Sequence, residues 1–220
     1  MARAEVLLDF DVTVTTKDTV DAILERFAAP AWRDVEEDWK NGKIGSRECL
    51  SKQTALIKAL PKEIDALIDD IEIDPGLDEF METCERHDIA VTIVSDGYRR
   101  SIERVLNRAG RKIPSRSGVL VYKGRRRWKL ESPVSRSACA SGSNTCKCMV
   151  ASEIKIPKIL VGDGRSDFCV ANEVDLVLAK GSLIRHCGEN KIEHKPIAGL
   201  SDAARLLADY IVKIDTKRAA

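Results

Sequence analysis

Two aspartates one residue apart, Asp9 and Asp11, end the apolar run of "VLLDFDVT", and two more, Asp163 and Asp167, sit in "GDGRSD". Between them lies "SDG", Ser95 to Gly97, ahead of a helical pattern that begins at Tyr98. Residues i and i+2 of an extended chain point the same way, so the first pair faces one place. Carboxylates gathered together repel each other unless a cation holds them, and an all-oxygen set without His suits Mg²⁺. A serine hydroxyl with the backbone N–H groups of a helix N-terminus suits an anion such as phosphate. Metal, phosphate and a spare carboxylate together point to phosphoryl transfer through an aspartyl-phosphate.

Such chemistry needs elements that bring distant segments to one edge. Four nearly all-apolar runs read as buried parallel strands: "EVLLDF" (5 to 10), "IAVTIVS" (89 to 95), "KILVGD" (158 to 163) and "DLVLAK" (175 to 180). Helical patterns separate them, which predicts an α/β fold with a Rossmann-like parallel sheet. In such sheets ligands bind at the carboxyl ends of the strands, where three of the four runs finish on polar groups. Residues 17 to 74 hold helical periodicity in "TVDAILERFA", "SRECLSKQTALIKAL" and "KEIDALIDDI". The stretch is too long for a crossover, so it reads as an inserted helical subdomain, with residues 1 to 16 and 75 to 220 forming the core. Pro75 and Gly76 mark the return. Residues 117 to 133, "SGVLVYKGRRRWKLESP", read as a β-hairpin within the core, with "KGRRR" as a solvated tip.

Composition narrows the class. Of 220 residues 44% are hydrophobic, enough for a proper core, and 36 Lys+Arg against 35 Asp+Glu leave a formal charge of +1. That balance gives no reason to expect nucleic acid or an anionic membrane surface as partner. No apolar run approaches the roughly 18 residues of a membrane span, and no secretion signal opens the chain. A cytoplasmic protein with reduced thiols is expected, because its 7 Cys are an odd number without a secretory context. Oligomeric state is not legible here.

The four motifs together resemble the haloacid dehalogenase superfamily of aspartate-nucleophile phosphatases over nearly the whole chain. The family's DxDx[TV] motif matches "DFDVT", its motif II serine matches Ser95, its lysine matches Lys147, and its acidic motif matches "GDGRSD". The resemblance implies that Asp9 attacks phosphorus and that Asp11 acts as general acid, then base. It implies that Asp9, the backbone carbonyl of Asp11 and Asp163 hold Mg²⁺, with Asp167 supporting the ion's water shell. Ser95, the backbone of Asp96 and Lys147 would grip the phosphoryl oxygens. Lys155 and Lys158 are rivals to Lys147, but both lie next to or inside the following strand.

The position of the helical insertion resembles the C1 subclass, which includes phosphoserine phosphatases and the methionine-salvage phosphatase acting on 2-hydroxy-3-keto-5-methylthiopentenyl-1-phosphate. "ERFAAPAW", the Cys-rich "CASGSNTCKC" and "DLVLAKGSLIRHCGENKIEHKP" resemble the methionine-salvage group. Phosphoserine phosphatases carry a cap arginine for the substrate carboxylate; here Gln53 stands in the matching segment, with Arg47 nearby. Three departures stand out. Val12 occupies a position where the family usually has Gly, "SDGY" replaces "SGG" so that Asp96 puts a charge beside the phosphate, and an alignment on the cysteines sets Val150 at the relatives' lysine. The expected substrate is a small phosphorylated metabolite, with Asp18, Trp32, Trp39, Arg47 and Arg99 as selectivity candidates. Cys139, Cys146 and Cys148, with Cys187 or His186, raise a structural zinc site, against which buried thiols are the simpler reading. A phosphoserine phosphatase, or a non-catalytic relative that uses the same cleft for binding or regulation, is the alternative. Retention of Asp9, Asp11 and Asp163 argues against the latter.

Overall fold

The computed structural model describes residues 2–133 and 142–219, with side chains placed up to residue 213. Seven strands form one sheet: β1 (Ala4–Leu8), β2 (Ile89–Tyr98), β3 (Ser115–Tyr122), β4 (Trp128–Glu131), β5 (Lys158–Gly162), β6 (Leu176–Ala179) and β7 (His194–Pro196). Their order is β4-β3-β2-β1-β5-β6-β7. Among the described strands of the sheet, only the β3–β4 pairing is antiparallel. Central β1 pairs with β2 on one side and β5 on the other, so the chain reverses its direction of winding there and opens a crevice at the carboxyl ends.

Alternation along β1 divides the core between two layers. Val6 and Leu8 face one cluster with Ile93 and Val161, whereas Leu7 faces the other with Val94, Leu160 and Val177. Both faces are therefore covered, which is why these strands read as unbroken apolar runs. Each such side chain, fully buried, contributes roughly 1.5–3 kcal/mol. β7 escapes that reading because its three residues, His194, Lys195 and Pro196, carry no apolar run.

Helices α5 (Leu77–Arg86), α6 (Arg99–Arg108), α7 (Lys147–Glu153), α8 (Gly181–Glu189) and α9 (Leu200–Ala219) flank the sheet. Between β1 and α5 the chain forms α1 (Thr19–Phe27), α2 (Trp32–Lys40), α3 (Ser46–Leu56) and α4 (Pro61–Asp69). This four-helix segment leaves and returns through one narrow neck: Thr15 bridges Ile73, and the N–H of Asp74 donates to the carbonyl of Val14 at 2.8 Å. Pro61 opens α4 at a position where its missing N–H costs nothing. Along α6, Ile102, Val105 and Leu106 are buried, while Arg100 and Arg104 reach across to Asp65 and Asp69 of α4.

The β3–β4 hairpin meets the same segment. Trp128 Nε1 donates to the carbonyl of Ala59 at 2.9 Å, and Arg126 at the tip forms a two-pronged pair with Glu63 of α4. The tip read as solvated is thus partly an ionic contact, because antiparallel pairing carries the loop over the helical segment. Among the described residues no helix is long and apolar enough to cross a membrane.

Candidate active site

Asp9 follows β1 directly, and its N–H donates to the carbonyl of Val161 on β5 at 2.8 Å, so sheet pairing fixes the residue. The chain then turns sharply: the carbonyl of Phe10 accepts from the N–H groups of Thr13, Val14 and Thr15 at 2.8 to 3.3 Å. Val12 sits in this turn at φ 60°, the left-handed region that a β-branched side chain disfavours. A glycine at this position would adopt that φ without the penalty. Lys180 Nζ donates to the carbonyl of Val12 at 3.0 Å and helps to hold the turn.

The turn separates the two acids chemically. Asp11 Oδ1 accepts from the N–H and the hydroxyl of Thr19, at 2.8 and 2.7 Å, the first residue of α1. Burial nevertheless outweighs these bonds and pushes the Asp11 carboxyl up to about 7, with Asp9 and Asp163 adding repulsion. Asp9 is 6% exposed and accepts from Lys147 Nζ at 2.6 Å. A carboxylate facing a cation beside an acid near neutrality is the pairing that a nucleophile and a proton donor require.

Lys147 begins α7 and is 2% exposed. Its ammonium also donates to Asp167 Oδ1 at 2.5 Å and Ser166 Oγ at 3.1 Å. Burial opposes its charge, but Asp167 and Asp9 outweigh that and hold it protonated above the ordinary lysine range. Lys155 instead donates to the carbonyl of Ser152 at the exposed end of α7, Lys158 opens β5, and Val150 is buried in the second core cluster.

Asp163 follows β5, and a 3-10 turn, Arg165–Asp167, brings Asp167 back beneath it. Asp167 Oδ2 accepts from the N–H groups of Asp163 and Gly164 at 3.2 and 3.3 Å. Carboxylate oxygens of Asp9, Asp163 and Asp167 lie within 4.8 Å of one another. Burial, then Asp9 and Asp167, pushes the Asp163 carboxyl up to about 8. Burial pushes Asp167 up to about 6 against the pull of Lys147. A divalent cation relieves such crowding, and the all-oxygen donor set fits a hard ion.

On β2, Ser95 Oγ accepts from the N–H of Gly97 at 2.9 Å. The strand runs on through Tyr98 with a register shift after Val94, so α6 starts at Arg99 and the N–H groups beside Ser95 belong to a strand end rather than a helix N-terminus. Asp96 Oδ1 accepts from the N–H of Thr145 at 2.8 Å, and its carbonyl accepts from Asn144 Nδ2 at 2.9 Å. This residue therefore anchors the segment that presents Lys147.

A cavity of about 330 Å³ opens over these groups. Asp9, Asp11, Ser95, Asp96 and Asp163 form its floor, and α1, α2 and α3 form its opposite wall. Of the selectivity candidates, Asp18 and Trp39 line it. Trp32 does not: it is 6% exposed in the core, and its carbonyl faces Gln53. Nor does Arg47, which reaches the carbonyls of Pro133 and Asn144 and ties α3 to the Lys147 segment. Arg99 also stands outside the wall, its Nε buried without a partner among the described residues. Sequence reasoning missed Asp21, Glu36, Lys40, Ser46, Cys49 and Leu50, and weighed Gln53 only by resemblance. Ser46, Cys49, Leu50 and Gln53 share one helical face at i, i+3, i+4, i+7, a spacing hidden because polar and apolar types alternate on it.

Zinc finds no support among the described residues, where the acidic trio is the one group with metal-ligand spacing. Cys139 lies outside the described residues. His186 stacks on Phe168 at 3.9 Å and hydrogen-bonds with Asn190.

The chain is 28% identical over 207 residues to a 2-hydroxy-3-keto-5-methylthiopentenyl-1-phosphate phosphatase of Exiguobacterium sp., covering 90% of this chain and 94% of the relative. It is also 28% identical over 213 residues to a polyol phosphate phosphatase of Saccharomyces cerevisiae, covering 87% of each. Its fold matches the solved structure of a phospho-aspartyl intermediate analogue of phosphoserine phosphatase, with a TM-score of 0.69, 20% identity and coverage of 90% of this chain and 94% of that one. The family model for haloacid dehalogenase-like hydrolases matches residues 6–172, so the chain belongs to that family.

Proposed function

We propose that this protein is a Mg²⁺-dependent phosphomonoesterase acting on a small metabolite. The observation that carries the reading is the split between the two acids of one motif: Asp9 faces the Lys147 ammonium, whereas Asp11 is held by Thr19 and titrates near neutrality. Asp9 attacks phosphorus through a carboxylate oxygen, the ester P–O bond breaks, and Asp11 gives its proton to the departing alkoxide. Water then attacks the aspartyl-phosphate while Asp11 takes back a proton, and phosphate leaves with Asp9 restored. Lys147 and the Ser95 hydroxyl hold phosphoryl oxygens throughout. Asp9, Asp163, Asp167 and the Asp11 carbonyl are the groups that would hold Mg²⁺, which when bound neutralises charge that would otherwise oppose attack of a carboxylate on a phosphate dianion.

The four-helix segment, residues 17 to 74, serves as a cap over a core made of residues 1 to 16 and 75 to 220. Similarity to the Exiguobacterium protein makes the methionine-salvage ester the first substrate to test. The enzyme's proposed location is the cytoplasm. Phosphate release from that ester and from p-nitrophenyl phosphate, with Mg²⁺ or EDTA, tests the reading. Release that needs both Mg²⁺ and Asp9 is expected; release unchanged in Asp9→Asn would sink it.

A further inference from the structure

The wall opposite the phosphate-binding floor sets hydrogen-bond acceptors among the apolar side chains of Val20, Trp39 and Leu50, with the Ser46 hydroxyl beside them. Asp18 uses one carboxylate oxygen, Oδ1, to cap α1 by accepting from the N–H groups of Val20 and Asp21, which leaves Oδ2 for the cavity. Asp21 lines the cavity from the next turn, and Glu36 from α2. Gln53 is 3% exposed, and its Nε2 donates to Glu36 Oε2 at 2.9 Å and to the carbonyl of Trp32 at 3.5 Å. Both partners only accept, so the amide is fixed with its NH₂ spent, and Oε1 is the atom it has left to offer a ligand.

The two cations in the lining are already engaged. Lys40 pairs with Glu36 at 3.3 Å. Arg165 lies 4.8 Å over the Trp39 ring and donates to the carbonyl of Lys40 at 3.2 Å. A leaving group that carried a carboxylate would face acceptors it cannot bond and charges that repel it. A single ammonium would engage only some of these acceptors, because they are spread over three helices and Lys40 already pairs with Glu36. Several hydroxyls, each with a proton to donate, match a distributed wall of this kind, and about 330 Å³ limits the carbon chain to a few atoms.

Resting on the phosphatase reading, we infer that the substrate is the phosphate monoester of a small, neutral, hydroxyl-bearing alcohol, selected by Asp18, Asp21, Glu36 and Gln53, and that carboxylated esters are rejected. The test compares ribitol 5-phosphate, phosphoethanolamine and phosphoserine in two ways: kcat/KM for wild type with Mg²⁺, and Kd by calorimetry for Asp9→Asn, which needs no turnover. Ribitol 5-phosphate is expected to lead phosphoserine by at least ~10-fold in both, with most of the kinetic difference in KM. Asp21→Lys, at an exposed position, should shift that ratio toward phosphoserine by roughly 10-fold. Phosphoserine or phosphoethanolamine handled as well as ribitol 5-phosphate, with p-nitrophenyl phosphate hydrolysed, overturns the inference and leaves the phosphatase standing. Selective binding of ribitol 5-phosphate with no hydrolysis of any ester does the reverse.

Discussion

Lys147 Nζ lies 2.6 Å from Asp9 Oδ1, with the same ammonium 2.5 Å from Asp167, so one buried cation joins the ends of β1, α7 and the turn after β5. Removing it leaves two buried carboxylates facing each other. Lys147→Met should lower kcat by about 10²–10³, the usual loss when one preorganised charge-stabilising donor is deleted. It should also destabilise the metal-free protein by about 3–5 kcal/mol, with partial recovery on adding Mg²⁺. Phosphate release and urea melts with and without Mg²⁺ check both; wild-type kcat in Lys147→Met would remove the lysine from the site.

Thr19 has no place in the sequence motifs, yet its hydroxyl is 2.7 Å from Asp11 Oδ1. Thr19→Val keeps the backbone donor and deletes the hydroxyl bond, which to a charged acceptor is worth about 1.5–3 kcal/mol. A drop in kcat of roughly 10-fold is expected, with Thr19→Ser close to wild type. Equal losses in both variants would mean that packing, and not the hydroxyl, matters here.

The parts of the site that sequence made legible are those fixed by strand ends. Asp9, Ser95 and Asp163 each follow an apolar run, and parallel pairing of β1 with β2 and β5 is enough to bring them together. Lys147 was legible only by resemblance, because nothing local to "NTCKC" says that α7 will aim its first side chain under β1. The wall was least legible. Trp32 and Arg47 look like ligand-contacting residues in sequence, but helix rotation sends the first into the core and the second to the Asn144 carbonyl. Gln53 and Glu36, 17 residues apart, acquire meaning only when α2 and α3 pack and their side chains bond.

Val12 carries a cost that the fold does not need. At φ 60° a left-handed L-residue is disfavoured by roughly 1–2 kcal/mol, and a β-branched one by no less. Val12→Gly should relieve most of this, less the extra entropy of glycine in the unfolded chain, for a net gain of about 0.5–1 kcal/mol. Thermal melts at fixed pH measure it. A lower Tm would mean that Val12 packing outweighs its backbone strain.

Gly162 closes β5 where a Cβ would collide with Asp167 Oδ2, with the carboxylate pinned from the other side by Lys147. Gly162→Ala should therefore displace Asp167, and with it Lys147, and reduce Mg²⁺-dependent turnover at least ~10-fold through the misplaced acid. The apparent Mg²⁺ affinity should weaken in parallel, which titration of activity against Mg²⁺ would detect. Normal Mg²⁺ dependence and turnover in this variant would show that the turn after β5 adapts.

Asp18 makes stability depend on pH. Burial, with Asp11 next, pushes its carboxyl up to about 7 although it caps α1, against about 3.9 in the unfolded chain. The folded state therefore holds the proton more tightly, and stability falls as pH rises from about 4 through 7, then levels off. Asn caps a helix about as well as Asp and cannot ionise. Asp18→Asn should thus leave Tm nearly unchanged near pH 4, where both forms are neutral, and raise it by a few degrees at pH 8, where the wild-type carboxylate is charged. Melts of both proteins across that range in Mg²⁺-free buffer decide the matter. Parallel curves for the two proteins would mean that the Asp18 carboxylate is solvated in the cavity and ionises at its ordinary pH.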